Sequence, residues 1–147
     1  MIRRIGAPPT GSRRYVLRRG VYAVLPRGGD LLLTFQMAPF EELQLPGGGV
    51  EAGESPLHAL HREVFEETGW KIASPRRLGA FRRFTYMPEY DIWAEKLCEI
   101  FLARPVRCLA NAPEEHHVPV WMGADLAARE LGNAGDRMFV ARYFAKP

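Results

Sequence analysis

Apolar and polar positions follow two different rhythms along this chain. The stretch "GVYAVLPRGGDLLLTF" holds two short apolar runs, Val21–Leu25 and Leu31–Phe35, separated by "RGGD". Runs of that length, rich in Val and Leu and split by paired glycines, predict two strands joined by a turn. "SPLHALHREVFEETGW" has a slower beat: Leu57, Leu60 and Val64 recur at helical spacing, which predicts one apolar face packed on a sheet. Ser55 is placed to cap that helix, Pro56 suits its first turn and Gly69 supplies the stop, so the element should run over Pro56–Thr68. Further along, "RRLGAFRRFTYM" and "EKLCEIFLARPV" read as strands paired across "PEYDIW". A short strand over Val118–Met122, a helix in "ADLAARELG" and a second, C-terminal helix in "DRMFVARYFA" complete the order. No repeat, low-complexity tract or linker divides residues 1–147, which predicts one α+β domain with helices around a mostly antiparallel sheet. Residues 1–18, carrying several of the chain's arginines, read as a partly ordered basic arm.

Composition narrows the class. At 147 residues, with 47% hydrophobic and 25% charged, the chain can bury its own core as an ordinary globular protein. No run approaches the ~20 apolar residues of a membrane span. The basic N-terminus lacks the apolar stretch of a secretory signal, so the expected compartment is the cytoplasm. Cys98 and Cys108 stand apart with no C-x-x-C pair and no matched histidines, which argues against zinc; Cys98 reads as a small core residue. The net charge of +3 is spread along the chain. That suits a polyanionic substrate, but it forms no basic stripe, so no stable nucleic-acid partner is expected.

The chemistry is concentrated in "REVFEETGW". On a helix Glu63, Glu66 and Glu67 are related by i, i+3 and i+4, so their carboxylates crowd one side, next to the apolar stripe. Like charges at that spacing weaken a helix and raise one another's pKa. A divalent cation removes both penalties, and an all-oxygen set suits Mg²⁺ or Mn²⁺. Arg62 is placed to reach Glu66 or to brace a carboxylate from the preceding loop. A solvated acidic helix is the plain alternative.

The upstream residues decide between them. Gly48, Glu54, Arg62, Glu63, Val64, Glu66, Glu67 and Gly69 stand at the spacing G-x5-E-x7-R-E-U-x-E-E-x-G-U, and "LQLPGG" leads into them. This stretch, Gly48 to Trp70, resembles the Nudix box. One position departs: Trp70 stands where an aliphatic residue is usual, which predicts altered packing at the helix exit. The resemblance implies a Nudix-type α/β/α sandwich with a mixed sheet. It also implies hydrolysis of a nucleoside diphosphate linked to another group, with Mg²⁺ or Mn²⁺ as cofactor and a small nucleotide as substrate. By the same resemblance Glu66 and Glu67 are metal ligands, the Gly47 carbonyl is a further one, and Glu63 is either a ligand or the general base. Arg62 is a catalytic-site residue that ties Glu54 to the helix. Some members place a second catalytic carboxylate on a loop ahead of a tryptophan-containing strand; here "PEEHHVPVWM" offers Glu114 and Glu115, and Glu115 is the preferred choice. His116 and His117 read as surface polar residues.

Substrate identity is less legible. Arg82 and Arg83 are candidate phosphate ligands, although alternation would turn only one of them toward a cleft. Tyr86, some way past the box, is placed where dinucleoside polyphosphate hydrolases of this family carry a tyrosine. A MutT-like nucleoside triphosphate pyrophosphohydrolase is the least committed expectation. The alternatives are a dinucleoside polyphosphate, ADP-ribose or nucleotide-sugar hydrolase, and, from another class, a non-catalytic nucleotide-binding module on the same fold. Family habit would allow a homodimer.

Overall fold

The computed structural model describes residues 2–144, so Met1 and residues 145–147, including the last residue of the expected C-terminal helix, lie outside the described residues. Nine strands and three helices follow in the order β1 (Arg3–Arg4), β2 (Val16–Val24), β3 (Pro26–Arg27), β4 (Asp30–Gln36), β5 (Glu42–Gln44), β6 (Gly47–Gly49), α1 (Pro56–Thr68), β7 (Trp70–Met87), β8 (Ile92–Cys108), β9 (His117–Gly123), α2 (Ala124–Glu130) and α3 (Ala134–Tyr143). One sheet has the order β1-β7-β8-β2-β6; the second joins β3, β4 and β5, with β9 also paired to β4. β2 runs parallel to β8 and β1 parallel to β7, while the other pairs are antiparallel. The sheet is therefore mixed, as expected.

Alternation along β2 builds the layers. Val21 and Ala23 join Leu60 and Val64 of α1 and Phe101 of β8 in one core cluster. Val24, Phe81 and Ile100 join Phe139 and Val140 of α3 in the other, with Tyr22 packed against it. Helices thus cover both faces, and the period of two in the strands is what assigns each side chain to its face. The long β7–β8 hairpin closes at Met87–Ile92, across the "PEYDIW" connection the sequence indicated.

α1 has the bounds its caps predict. The Ser55 side chain accepts from the His58 amide, and Gly69, at φ 76°, donates its N–H to the Phe65 carbonyl. The expected buried stripe needs a correction: Leu57 is 45% exposed. The buried face begins one turn later with Ala59, Leu60 and Val64 and continues through Glu67 and Thr68, because the first turn stands clear of the core. The odd Trp70 at the helix exit packs edge-on against Trp121 at 5.4 Å, and the Arg27 guanidinium lies 4.7 Å from its ring centre.

The N-terminal segment is tied down at several points. β1 pairs with the free edge of β7, Ile5 packs against the α3-side core, and Tyr15 meets Phe84 edge-on at 5.0 Å. β2 begins at Val16, so Val16, Leu17 and Arg18 belong to the sheet rather than to an arm. Cys98 is buried and Cys108 exposed, both as free thiols.

The two leucines of α1 should separate in a urea unfolding series. Leu60→Ala should cost about 2–5 kcal/mol through the cavity it leaves, whereas Leu57→Ala should stay within about 0.5 kcal/mol; equal losses would contradict the packing of α1.

Candidate active site

β6 and the last two turns of α1 lie side by side, and their contact sets the site. Glu67 is 5% exposed, and its carboxylate accepts the Gly47 N–H at 3.0 Å. Glu63 lies under Gly48, where an added Cβ would sit 2.5 Å from its carboxyl group. Only a residue without a side chain lets the strand pass so close to the helix.

Arg62 gathers the neighbouring carboxylates. Its Nε and Nη2 donate to the two oxygens of Glu54 at 2.8 and 2.9 Å, a bidentate pair across the β6–α1 loop. Nη1 donates to Glu63 at 2.9 Å and to Glu66 at 3.2 Å, and Nη2 also reaches the Gly49 carbonyl at 3.0 Å. The paired guanidinium holds the Glu54 carboxyl well below the usual carboxylate range.

The loop before β9 completes the cluster. The Glu114 amide donates to the Glu66 carbonyl at 3.0 Å, which draws this loop onto α1. Carboxylate atoms of Glu63, Glu66 and Glu114 lie within 4.8 Å of one another, and so do those of Glu67 and Glu114 with a ring nitrogen of His117. His117 Nε2 is 3.4 Å from Glu67 and 3.8 Å from Glu114, while Nδ1 is 3.1 Å from the hydroxyl of buried Thr34 in β4. Burial pushes Glu67 well above the ordinary carboxylate value and Glu63 up to about 7, with Arg62 pulling Glu63 back and Glu66 and Glu114 adding to its rise. Burial, then Glu66, raises Glu114; burial lowers His117. Three crowded carboxylates with a raised pKa and an oxygen-rich donor set fit a hard divalent cation.

A cavity of about 630 Å³ opens from this cluster across β6, β2, β8 and β7. Gly47, Gly48, Glu63 and Glu67 are among its lining residues, and so are Arg83, Lys96, Asn133 and Asp136. Lys96 faces the Tyr22 ring at 5.8 Å, and the tyrosine raises its pKa. Asp136 is 3% exposed, and burial lifts it to about 6.

Most residues singled out from the sequence come together here. Glu63, Glu66, Glu67, Arg62 and Gly47 do. Glu115 is in neither carboxylate group; both glutamates of the pair are exposed, and the one that reaches the cluster is Glu114, whose amide docks on the Glu66 carbonyl. Arg83 lines the cavity, but Arg82 alternates to the opposite side, where it donates to the Ile2 carbonyl and to Glu95. Tyr86 sits at the cavity edge, its hydroxyl donating to Asp91 and its ring on Trp93. His117 is a half-buried member of the cluster rather than a surface residue. No spacing in "PEEHHVPVWM" separates Glu114 from Glu115 or His117 from His116; the pairing of β9 with β4 does. Lys96 left a faint signal, a charge in phase with Ala94, Cys98 and Ile100 on the inward face of β8.

A family profile described as NUDIX domain matches residues 15–143. The chain belongs to the NUDIX family. It is 56% identical over 67 residues to an RNA pyrophosphohydrolase of Halorhodospira halophila, a match covering 46% of this chain and 37% of that one. It is 28% identical over 75 residues to a putative 8-oxo-dGTP diphosphatase of Bacillus subtilis, covering 51% and 50%. The matches thus span half or less of these relatives' length. Among solved structures it superposes on a MutT protein from Bacillus halodurans with a TM-score of 0.69 and 25% identity, over 88% of this chain and 83% of that one. A MutT protein from Methanosarcina mazei gives a TM-score of 0.70 at 24% identity, over 89% and 95%, a likeness of fold. The NUDIX box here is the β6–α1 unit, and its spacing is what brings Gly48 over Glu63 and Glu54 onto Arg62.

The raised carboxylates give a pH dependence with a definite sign. A group whose folded pKa lies above its unfolded value stabilises the fold below the unfolded pKa and loses that contribution as pH rises through the folded one. For Glu63 that window runs from the ordinary 4.5 to about 7. Thermal melts in chelator should therefore lose stability from this group between those pH values. Added Mg²⁺ or Mn²⁺ should raise the melting temperature more at pH 8 than at pH 5, since it binds the deprotonated cluster; an equal rise at both would contradict it.

Proposed function

We propose that this chain is a divalent-cation-dependent hydrolase cleaving a phosphoanhydride bond in a nucleoside 5′-triphosphate or a related nucleotide. The observation that carries this reading is the convergence of Glu63, Glu66, Glu67 and Glu114 in one cluster, with Glu63 and Glu67 lining a cavity that Arg83, Lys96, Asn133 and Asp136 also line. A substrate with anionic phosphates and a polar base suits a cavity lined by that mixture of groups. The names of the two relatives, an RNA pyrophosphohydrolase and a putative 8-oxo-dGTP diphosphatase, add support for a nucleotide phosphoanhydride as the bond cleaved. A non-catalytic binding module is the weaker reading, because every box carboxylate is in place.

Glu63, Glu66, Glu67 and Glu114 would hold Mg²⁺ or Mn²⁺, with the Gly47 carbonyl as a further ligand. Held by these residues, such a cation would offset the phosphate charge that otherwise repels a nucleophile. The chain's own residues do the rest. Arg62 fixes the angle of Glu63 and Glu66 while its bond to Glu54 locks the loop. His117, oriented by Thr34, does the same for Glu67. Water attacks phosphorus, the anhydride P–O bond breaks, and the proton passes to a carboxylate. Glu63 and Glu114, which lie together in the carboxylate cluster, are the two groups proposed to accept it, whichever of them is not committed to the cation.

Turnover of nucleoside triphosphates with Mg²⁺ or Mn²⁺ should fall at least about 100-fold in Glu66→Gln or Glu67→Gln with the fold intact by circular dichroism. Wild-type rates in both would reject the assignment. Glu114→Gln should lower kcat and displace the pH–rate profile, whereas Glu115→Gln should leave kcat within about twofold; the reverse pattern would restore Glu115 as the loop carboxylate.

A further inference from the structure

His117 adds an imidazole nitrogen to a donor set that is otherwise carboxylate oxygen. Its side chain is 9% exposed and that of Glu67 7%, so both are held away from bulk solvent. Glu67 commits one oxygen, Oε1, to the Gly47 N–H, and the other, Oε2, faces the ring. The neighbouring His116 is exposed and has no place in either donor group. An imidazole taken out of water beside two carboxylates calls for a compensating partner.

The spacing says what kind of partner. Nε2 stands 3.4 Å from Glu67 Oε2 and 3.8 Å from Glu114 Oε2. A charge-assisted hydrogen bond would draw such atoms to about 2.7–2.9 Å. Donors that share a cation at about 2.1 Å stand wider, roughly 3.0–3.4 Å apart. The three donor atoms lie within 4.8 Å of one another, and Glu114, being exposed, can close the remaining gap. On the other side of the ring, Nδ1 is 3.1 Å from the hydroxyl of fully buried Thr34. Ligating histidines are fixed in this way through their second nitrogen, which sets both tautomer and ring direction.

We propose that His117 Nε2 is a direct ligand of a divalent cation, together with Glu67 and Glu114, and that this nitrogen makes the site select Co²⁺ and Mn²⁺ over Mg²⁺. The Thr34 oxygen then accepts from Nδ1–H, and the Nε2 lone pair faces the two carboxylates. Magnesium, a hard ion, gains little from imidazole, whereas first-row transition cations take mixed nitrogen and oxygen donors. The inference deepens the cation-dependent hydrolase reading above and rests on it. It gives His117 a role beyond holding Glu67 in place.

Electron spin-echo spectroscopy on the Mn²⁺-loaded protein, with no nucleotide present, reads the ligand directly. Nitrogen bound to the ion should modulate the echo in the wild type and in His116→Gln, and the modulation should vanish in His117→Gln. By isothermal titration calorimetry with the metal alone, His117→Gln should weaken Mn²⁺ and Co²⁺ binding about tenfold or more and Mg²⁺ binding by less than about threefold. An echo without nitrogen modulation in the wild type would overturn the proposal whether or not any variant folds. Modulation that survives His117→Gln would do the same. Equal losses for all three cations would reduce the ring to a positioning role for Glu67, and would overturn it too. Nitrogen coordination with every phosphoanhydride left intact would instead sink the hydrolase reading and leave the metal site standing; hydrolysis with an all-oxygen cation would do the reverse.

Discussion

One guanidinium holds this site together. Arg62 bonds simultaneously to Glu54 on the loop, to Glu63 and Glu66 on its own helix and to the Gly49 carbonyl at the end of β6. Each bond answers a separate need. The bidentate pair to Glu54 fastens the glycine-rich approach to α1; the bond to Gly49 keeps β6 against the helix; the bonds to Glu63 and Glu66 partly compensate charges that would otherwise push α1 apart. A lysine could not reproduce this, because a single ammonium lacks the planar fork that serves several acceptors in fixed directions. Glu67 lies beyond the reach of Arg62, and there burial leaves the carboxyl well above its usual range. The energetic debt therefore sits on the carboxylates best placed to be relieved by a cation.

Local sequence carried the first half of this structure. The β6–α1 unit was legible because its partners lie within twenty residues of one another: Ser55 caps, Gly69 terminates, and Glu54 meets Arg62 across two turns. The β7–β8 hairpin was legible because its strands adjoin. What escaped depends on partners distant in the chain. Glu114 and His117 enter the cluster because β9 pairs with β4, some eighty residues away, and because the Glu114 amide docks on Glu66. Nothing in the local pattern of an acidic pair beside a histidine pair reports that registration. Leu57 was misread for a related reason. Helical periodicity names a face but not the point at which the face meets the sheet, and here it meets it one turn late.

The second sheet is accordingly more than a platform. β4 contributes Leu31 and Leu33 to one core and Leu32 to the other, so its position is fixed from both sides. On that strand Thr34 is fully buried and its hydroxyl meets His117, which faces Glu67. A chain of contacts thus runs from the packed centre of β4 to a carboxylate of the box helix. Displacing β9 by one residue would turn His117 to the other face and remove it from the cluster, since side chains on a strand alternate.

Net charge says little about how such a protein handles a polyanion, but its distribution says more. The chain carries only +3 overall. In the cavity lining, however, Glu63 and Glu67 share one space with Arg83, Lys96 and buried Asp136. Within a partly desolvated cleft such charges act at greater strength than in water. An anion entering alone would be repelled by the carboxylates. On the proposed reading, one that arrives with a divalent cation would instead be drawn to them. On that reading the carboxylates that would repel a bare phosphate would favour a cation-loaded one, so that recognition of the cation and of the substrate's charge would be a single electrostatic event.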